Sequence, residues 1–594
     1  MKEISNVRSL SHHSQPWKLA LLSAFVLAII TSIPQIHLSY VRGSEWNGSC
    51  AYSDWDELAY VAYTNALIDG RPRRNDPYSG KDNGKFESLF SIQFFPSYAV
   101  AIPAKLLHIP GDTAFIVLLP VATTAVFLVV WGLLFELTGN TLLAIAGALC
   151  VLSLGTAAAH SPLQIFQGVA TEYNPFPFLR RHIPAVPFSI FLLANLFIWR
   201  ALTRHPAWAA GAAVSFAILI YSYFFLWTAL AGWFFTILIL WFVLIPKDRP
   251  KVWRVALILA AAAIVALGPY SWLLGQRPHS MDLSQILEWR RSPDLFRAPE
   301  LYGALILGFL IHYVRRNRNR IDDPRILFTA SFALAPFLLF NQQIVTGRSL
   351  QPFHYEEFAA NYWIVIAAVL ALGFLPQNLP RRIIFYLGFI GLSIAMMLSV
   401  LTISVMERSN IRFDQLRPVV RKLGKKPTGV VFASDGFLTQ TISTISSQPV
   451  LWARYLYTFS NVDSVEQKNR YYQYLYYSGV NENAFATMLR DDSSARWEVF
   501  GAERVNPVLA SGHSPIGEEE IQNAARQYAE FTRSFDSNRA AAPLLTYAVV
   551  SSKDNLSNLD RWYDRVEGER DGEFVSYRLK LKVPTTPNHA GSGR

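Results

Sequence analysis

Long apolar runs separated by short polar breaks fill the first two-thirds of the chain. A helix needs about 20 apolar residues to cross a bilayer. Runs of that kind fall at roughly 18–38, 113–136, 140–158, 184–202, 206–222, 224–246, 252–274, 300–315, 326–342, 360–376 and 382–404. One further run, "SIQFFPSYAVAIPAKLLHI" (91–109), carries Pro96, Pro103 and Lys105. If it crossed, the basic stretches "IPKDRPKVWR" (245–254), "RRNRNR" (315–320) and "LPRR" (379–382) would all face outward. If it lies in the interface as an amphipathic helix, all three fall in the cytoplasm beside the basic N-terminus, as the positive-inside rule requires. The pattern therefore predicts about eleven transmembrane helices, N-terminus in and C-terminus out. The first run follows a basic segment and has no small-x-small cleavage site, so it reads as an uncleaved span.

Beyond residue 405 the long apolar runs stop and charges rise. "TGVVFASDG" (428–436) reads as a buried strand ending in a turn, and "LLTYAVVSS" (544–552) as a second strand. "IGEEEIQNAARQYAEFTRSF" (516–535) has helical amphipathicity, and "EFVSYRLKLKV" (573–583) alternates like a closing strand. The expected fold class is a polytopic α-helical membrane protein with a small C-terminal α/β domain. Residues 1–405 form the membrane domain and 406–594 a soluble domain on the outer side, ending in a flexible tail. The outer face then carries the loops 39–111, 159–183, 275–299 and 343–359, which hold most polar residues not used for topology.

Composition agrees. Of 594 residues, 52% are hydrophobic, 14% aromatic and only 16% charged, well below a soluble chain. The net charge of +11 comes from arginines that punctuate apolar runs, so it reads as topology and not as nucleic-acid binding. The two cysteines, Cys50 and Cys150, give no metal framework and no expected disulfide. There is no internal repeat, no Gly-rich phosphate loop, no zinc spacing and no G-x-S-x-G.

The stretch "SDWDELAYVAY" (53–63) places Asp54, Asp56 and Glu57 among aromatics just beyond the first span. A helix start accounts for one acid, because carboxylates favour the positive end of the dipole. It accounts less well for three at a membrane interface, where a buried carboxylate without a partner is costly. The order is a first span, then Asp56-Glu57-x-x-Tyr60, then a proline-bearing amphipathic segment, then a span from about 113. This layout resembles the GT-C membrane glycosyltransferases, closest to those using lipid-phosphate sugars, such as protein O-mannosyltransferases and aminoarabinose transferases. The resemblance covers about residues 15–275. It implies a polyprenyl-phosphate sugar donor, a glycan, lipid or protein acceptor, a site in the first outer loop, and a catalytic Asp there. No "WWDYG"-type motif follows, which makes an oligosaccharyltransferase a poorer match. The extra Asp54 creates Asp-Trp-Asp, and such a pair is a candidate site for a divalent metal, Mg or Mn.

The chemistry fits the acids. A sugar on a lipid phosphate already has a good leaving group; the acceptor hydroxyl needs a base. Asp56 is the expected base, Glu57 the residue that orients or binds acceptor, and Asp54 the reserve; Tyr60 is expected to bind substrate. The leaving phosphate needs preplaced cations or hydrogen-bond donors. "NPFPFLRRHIPAVPF" (174–188) supplies Arg180, Arg181 and His182, against a plainer reading as headgroup contacts. "NQQIVTGRSLQPFHYEEF" (341–358) supplies Arg348, His354, Tyr355 and Glu356, against a plain solvated turn. The leading expectation is a glycosyltransferase at the periplasmic face of a bacterial inner membrane. The alternatives are a lipid-linked glycan polymerase or ligase with a diphosphate donor, and a flippase. A flippase is disfavoured by the lack of repeats and of mid-membrane charges.

Overall fold

The computed structural model describes residues 16–158 apart from 83 and 85, then 175–278, 281, 287–317, 322–375, 380–454, 456, 463–505 and 515–582. The expected tail after about 582, and most of the loop 159–183, lie outside these residues.

Each expected span coincides with a helix. Among the described residues, eight helical segments are long and apolar enough to cross a membrane: Pro16–Glu45, Gly111–Thr138, Ala185–Thr203, Phe224–Leu244, Pro246–Gly275, Pro324–Thr346, Pro352–Leu372 and Arg381–Gly424. Thr141–Ala157 and Pro206–Ile220 are apolar but shorter, and Ala298–Arg316 packs against Pro324–Asn341. The chain is thus a polytopic helical membrane protein. Short turns such as Gly139–Asn140 join helices at one end, where Arg200 and Arg204 both grip Glu136. The segments containing the acids gather at the other end.

The helix Phe95–Leu107 has 13 residues, about 20 Å at 1.5 Å per residue, too short to cross. Ile102, Leu106 and Leu107 on it are exposed, as an interfacial helix requires. It ends at His108 in the left-handed region. The next span begins at Gly111, where a Cβ would stand 2.4 Å from Asn65 Oδ1. That glycine lets the span pack directly on the helix Asp56–Ile68.

The polar stretch 343–359 is not a simple loop: its strand β2 (Arg348–Leu350) pairs antiparallel with β1 (Leu287–Trp289). Residues from Pro352 already helical carry one π-turn, Glu356–Ala360, and run into the span Asn361–Leu372. Nor does the chain leave the membrane domain at residue 405: Arg381–Gly424 is one 44-residue helix. Its apolar first half is membrane-like. In its second half Asn410, Phe413, Asp414 and Arg417 are buried against the first loop. Asp414 pairs with Arg42 at 2.9 Å and accepts the backbone N–H groups of Asn47 and Ser49. Arg417 pairs with Asp112 at 2.8 Å, and Asp112 also accepts the Tyr52 hydroxyl.

The C-terminal domain holds a four-stranded sheet in the order β3-β4-β6-β5: β3 (Val430–Ala433), β4 (Leu545–Ser551), β5 (Tyr563–Asp571) and β6 (Phe574–Leu581). β3 runs parallel to β4; the other pairs are antiparallel. The helix Glu518–Arg533 buries Ile521, Ala524, Ala525 and Tyr528. This domain is docked on the first loop: Val450 N–H donates to Tyr78 O at 2.8 Å and Asn65 Nδ2 to Thr444 O at 2.7 Å.

Candidate active site

The helix Asp56–Ile68 begins where Asp54 Oδ1 accepts the Asp56 backbone N–H at 2.8 Å. Asp54 thus forms an Asx turn one residue before the cap position, which Trp55 occupies. Tyr60 and Tyr63 anchor the helix by packing on Phe90, with ring centroids 5.6 and 5.2 Å apart. Anchored this way, the first turn holds Asp56 and Glu57 toward different neighbours.

Glu57 is wholly buried. Its carboxylate accepts Ser53 N–H at 2.7 Å, Arg181 N–H at 2.5 Å and Arg181 Nη1 at 3.2 Å. Arg181 also donates to Ala51 O at 3.0 Å. The pair joins the first loop to the segment before the span Ala185–Thr203. With every side enclosed, Glu57 has no face open to the cleft, and its contacts run to Ser53 and Arg181.

One residue earlier in each stretch the picture differs. Arg180 Nη2 donates to Asp56 Oδ2 and, at 2.7 Å, to the Tyr60 hydroxyl. Its Nε lies 3.8 Å from Asp54 Oδ2 and makes no hydrogen bond to a described residue. The guanidinium also lies over the Tyr60 ring, 5.6 Å from its centre. The Asp54 and Asp56 side chains keep 35% and 38% of their surface exposed, so Arg180 gathers both acids while leaving them open. Burial pushes the Asp54 carboxyl above its ordinary pKa, and the Asp56 charge pushes it further. Burial opposes the charge on Arg180, but Tyr60, Asp56 and Asp54 more than offset this and hold its pKa above the ordinary value.

His182 has φ 78° and turns the chain out of the Arg180–Arg181 pair. It is buried, stacked on Tyr60 at 4.9 Å, and its Nε2 meets Ser97 Oγ. Burial, helped by the Arg180 charge, lowers its pKa to about 3, so it is a neutral hydrogen-bonding group. It links Tyr60 to Ser97 of the helix Phe95–Leu107.

The opposite wall comes from span ends. Tyr223 sits at the start of Phe224–Leu244, in the polar break of "YSYFF", with its hydroxyl 3.3 Å from His354 Nδ1. Tyr223 lies within the field of Arg180, Asp56 and Asp54 on one side and of Glu357 on the other. His354 packs edge-on against Phe225 at 4.4 Å and feels Arg180 as well. Tyr355 bonds Thr228 at 3.0 Å, which fixes this wall to the span. Two residues grouped with them from the sequence keep other company. Glu356 is held by Arg297 at 3.2 Å, and Arg348 lies exposed on the short strand β2 (Arg348–Leu350), 5.9 Å over the ring of Trp289.

Tyr223, Ser97 and Trp55 were not singled out by the sequence. Only Tyr223 had a readable signal, a polar break between two apolar runs. Among the described residues no three His, Cys, Asp or Glu side chains converge as a metal donor set. Asp54 and Asp56 already converge on a guanidinium. Cys50 and Cys150 are unpaired and buried, and burial pushes the Cys50 thiol up to about 12.

No family model and no curated protein matches the chain. Two solved structures are similar in outline. One is the archaeal oligosaccharyltransferase AglB from Archaeoglobus fulgidus, in complex with an inhibitory peptide and a dolichol-phosphate. It shares 12% identity at TM-score 0.42, covering 97% of this chain and 76% of that one. The other is ArnT from Cupriavidus metallidurans bound to undecaprenyl phosphate. It shares 11% identity at TM-score 0.41, covering 95% of this chain and 98% of that one.

Proposed function

We propose that the chain is a membrane glycosyltransferase that moves one sugar from a polyprenyl-phosphate donor to an acceptor hydroxyl. The observation that carries this is the Asp54–Asp56–Arg180–Tyr60 cluster: two open acids gathered by one arginine, roofed by a soluble domain and floored by span ends. The acceptor O–H gives its proton to Asp56 through the carboxylate oxygen not held by Arg180. The acceptor oxygen forms its bond to the anomeric carbon as the bond from that carbon to the phosphate oxygen breaks. The electron pair leaves with the lipid phosphate. Arg180, with Tyr223 and His354 opposite, supplies the charge and the hydrogen bonds that meet it. The interfacial helix Phe95–Leu107 sets the cluster at headgroup depth, where a lipid phosphate lies.

The reading places the cluster on the outer side, periplasmic in a bacterial inner membrane, because the basic turns gather at the other end. A divalent ion on Asp54 and Asp56 would have to displace Arg180, so turnover is expected to survive chelation by EDTA.

The test uses purified protein in lipid, a panel of polyprenyl-phosphate sugars and a crude acceptor extract, with mass spectrometry following free polyprenyl phosphate. Release by wild type and its loss in Asp56→Asn supports the reading. Release by both variants moves the base to Asp54. No release from any monophosphate donor overturns it in favour of a diphosphate donor or of transport.

A further inference from the structure

The site has a third side, made by the C-terminal domain. Trp55, between the two acids, packs its ring on Phe413 and Phe437, with centroids 5.3 and 5.2 Å apart. Phe437 belongs to the helix Gly436–Ile445 of that domain. From the same domain Arg454 extends over the Trp55 ring, 5.9 Å from its centre. Arg454 is exposed. Among the described residues it has no hydrogen-bond or ion-pair partner, and its charge is felt at Asp54. Arg180 lies toward the span ends and is committed to Asp56 and Tyr60. Among the described residues Arg454 rests on the Trp55 ring, and its charge is felt at Asp54 and at Glu498.

A guanidinium resting over an aromatic ring spends none of its N–H donors on it, and they remain free for a carboxylate or phosphate. Placed beside two carboxylates it also meets any group that approaches Asp54 from water. A neutral acceptor gains little from a guanidinium there. An anionic acceptor would be repelled by Asp54 and Asp56 and needs such a cation to approach.

We propose that Arg454 is an acceptor-binding residue, which selects acceptors bearing a negative group, phosphate or carboxylate, close to the hydroxyl that receives the sugar. This rests on the glycosyl-transfer reading for its role, while the anion site itself can be read without turnover. Full-length protein labelled with 5-fluorotryptophan, its Trp55 resonance assigned through Trp55→Phe, is titrated with inorganic phosphate and, separately, with acetate. An anion drawing the guanidinium off the ring shifts that resonance. A saturable shift in wild type that disappears in Arg454→Gln is expected. No shift in wild type, or the same shift in Arg454→Gln, overturns the proposal. The stronger of the two titrations tells phosphate from carboxylate.

In the release assay, Arg454→Gln should raise the half-saturating concentration of acceptor extract at least about tenfold. Arg454→Lys should recover part of this, and the half-saturating donor concentration should not change. A change in the donor value instead assigns Arg454 to the lipid phosphate and overturns the acceptor role. A wild type that shows the resonance shift but releases no polyprenyl phosphate refutes the transferase reading separately.

Discussion

Asp56 with Arg180 and Glu57 with Arg181 are adjacent pairs on the same two stretches, yet they live in different worlds. Arg180 leaves more than a third of Asp56 open to solvent, whereas Arg181 and Glu57 are 2% and 0% exposed. A single step along a helix start turns a side chain by about 100°, which is enough to send one acid into a cleft and the next into the core. The open pair faces the cleft. The closed pair fixes the distance between the two stretches, and with it the position of the open pair.

The sharpest way to break this contrast is to remove one charge from each pair. Asp56→Asn should lower the rate of polyprenyl phosphate release by about 10²–10⁴-fold with an unchanged melting curve. Glu57→Gln leaves Arg181 buried without its partner. It should destabilise the protein by about 3–5 kcal/mol, read as a lower melting temperature and poor yield. If Asp56→Asn instead melts early and Glu57→Gln only slows turnover, the two roles are reversed. Arg180→Lys keeps the charge but loses the planar fork that reaches Asp56 and Tyr60 together. It should slow release by about tenfold or more without lowering the melting temperature.

The smallest effect concerns Asp54. Its folded pKa lies above the ordinary carboxylate value, so folding favours its protonated form. The stability this contributes is fully present below the ordinary carboxylate pKa and is lost as pH rises through the folded one. Asp54→Asn removes that loss. Its melting temperature should therefore change less than that of wild type between pH 4 and pH 7, as scanning fluorimetry would show.

The spans and the short helix Phe95–Leu107 were legible because apolar length acts locally along the chain. The cluster was half legible: Asp54, Asp56, Tyr60 and Arg180 do meet, although 120 residues separate Tyr60 from Arg180. What could not be read is which of two adjacent charges faces in, since Glu57 and Arg181 look in sequence like their neighbours. His354 and Tyr355 stand in the facing wall, but Glu356 and Arg348 go elsewhere because the helix starting at Pro352 fans consecutive residues around its axis. Strand β5 went unseen because "YDRVEGERD" is an exposed edge with no apolar alternation. The continuation of the last span past residue 405 was missed because amphipathic helix follows apolar helix without a break.

That continuous helix has a mechanical consequence. Forty-four residues at 1.5 Å each make a rod about 66 Å long, of which the hydrocarbon core takes about 30 Å. The remainder is clamped along its side by Arg42, Tyr52 and Asp112 and leads into the C-terminal sheet domain. One helix thus ties a membrane span to the first loop, whereas Tyr223 and His354 stand at the ends of other spans.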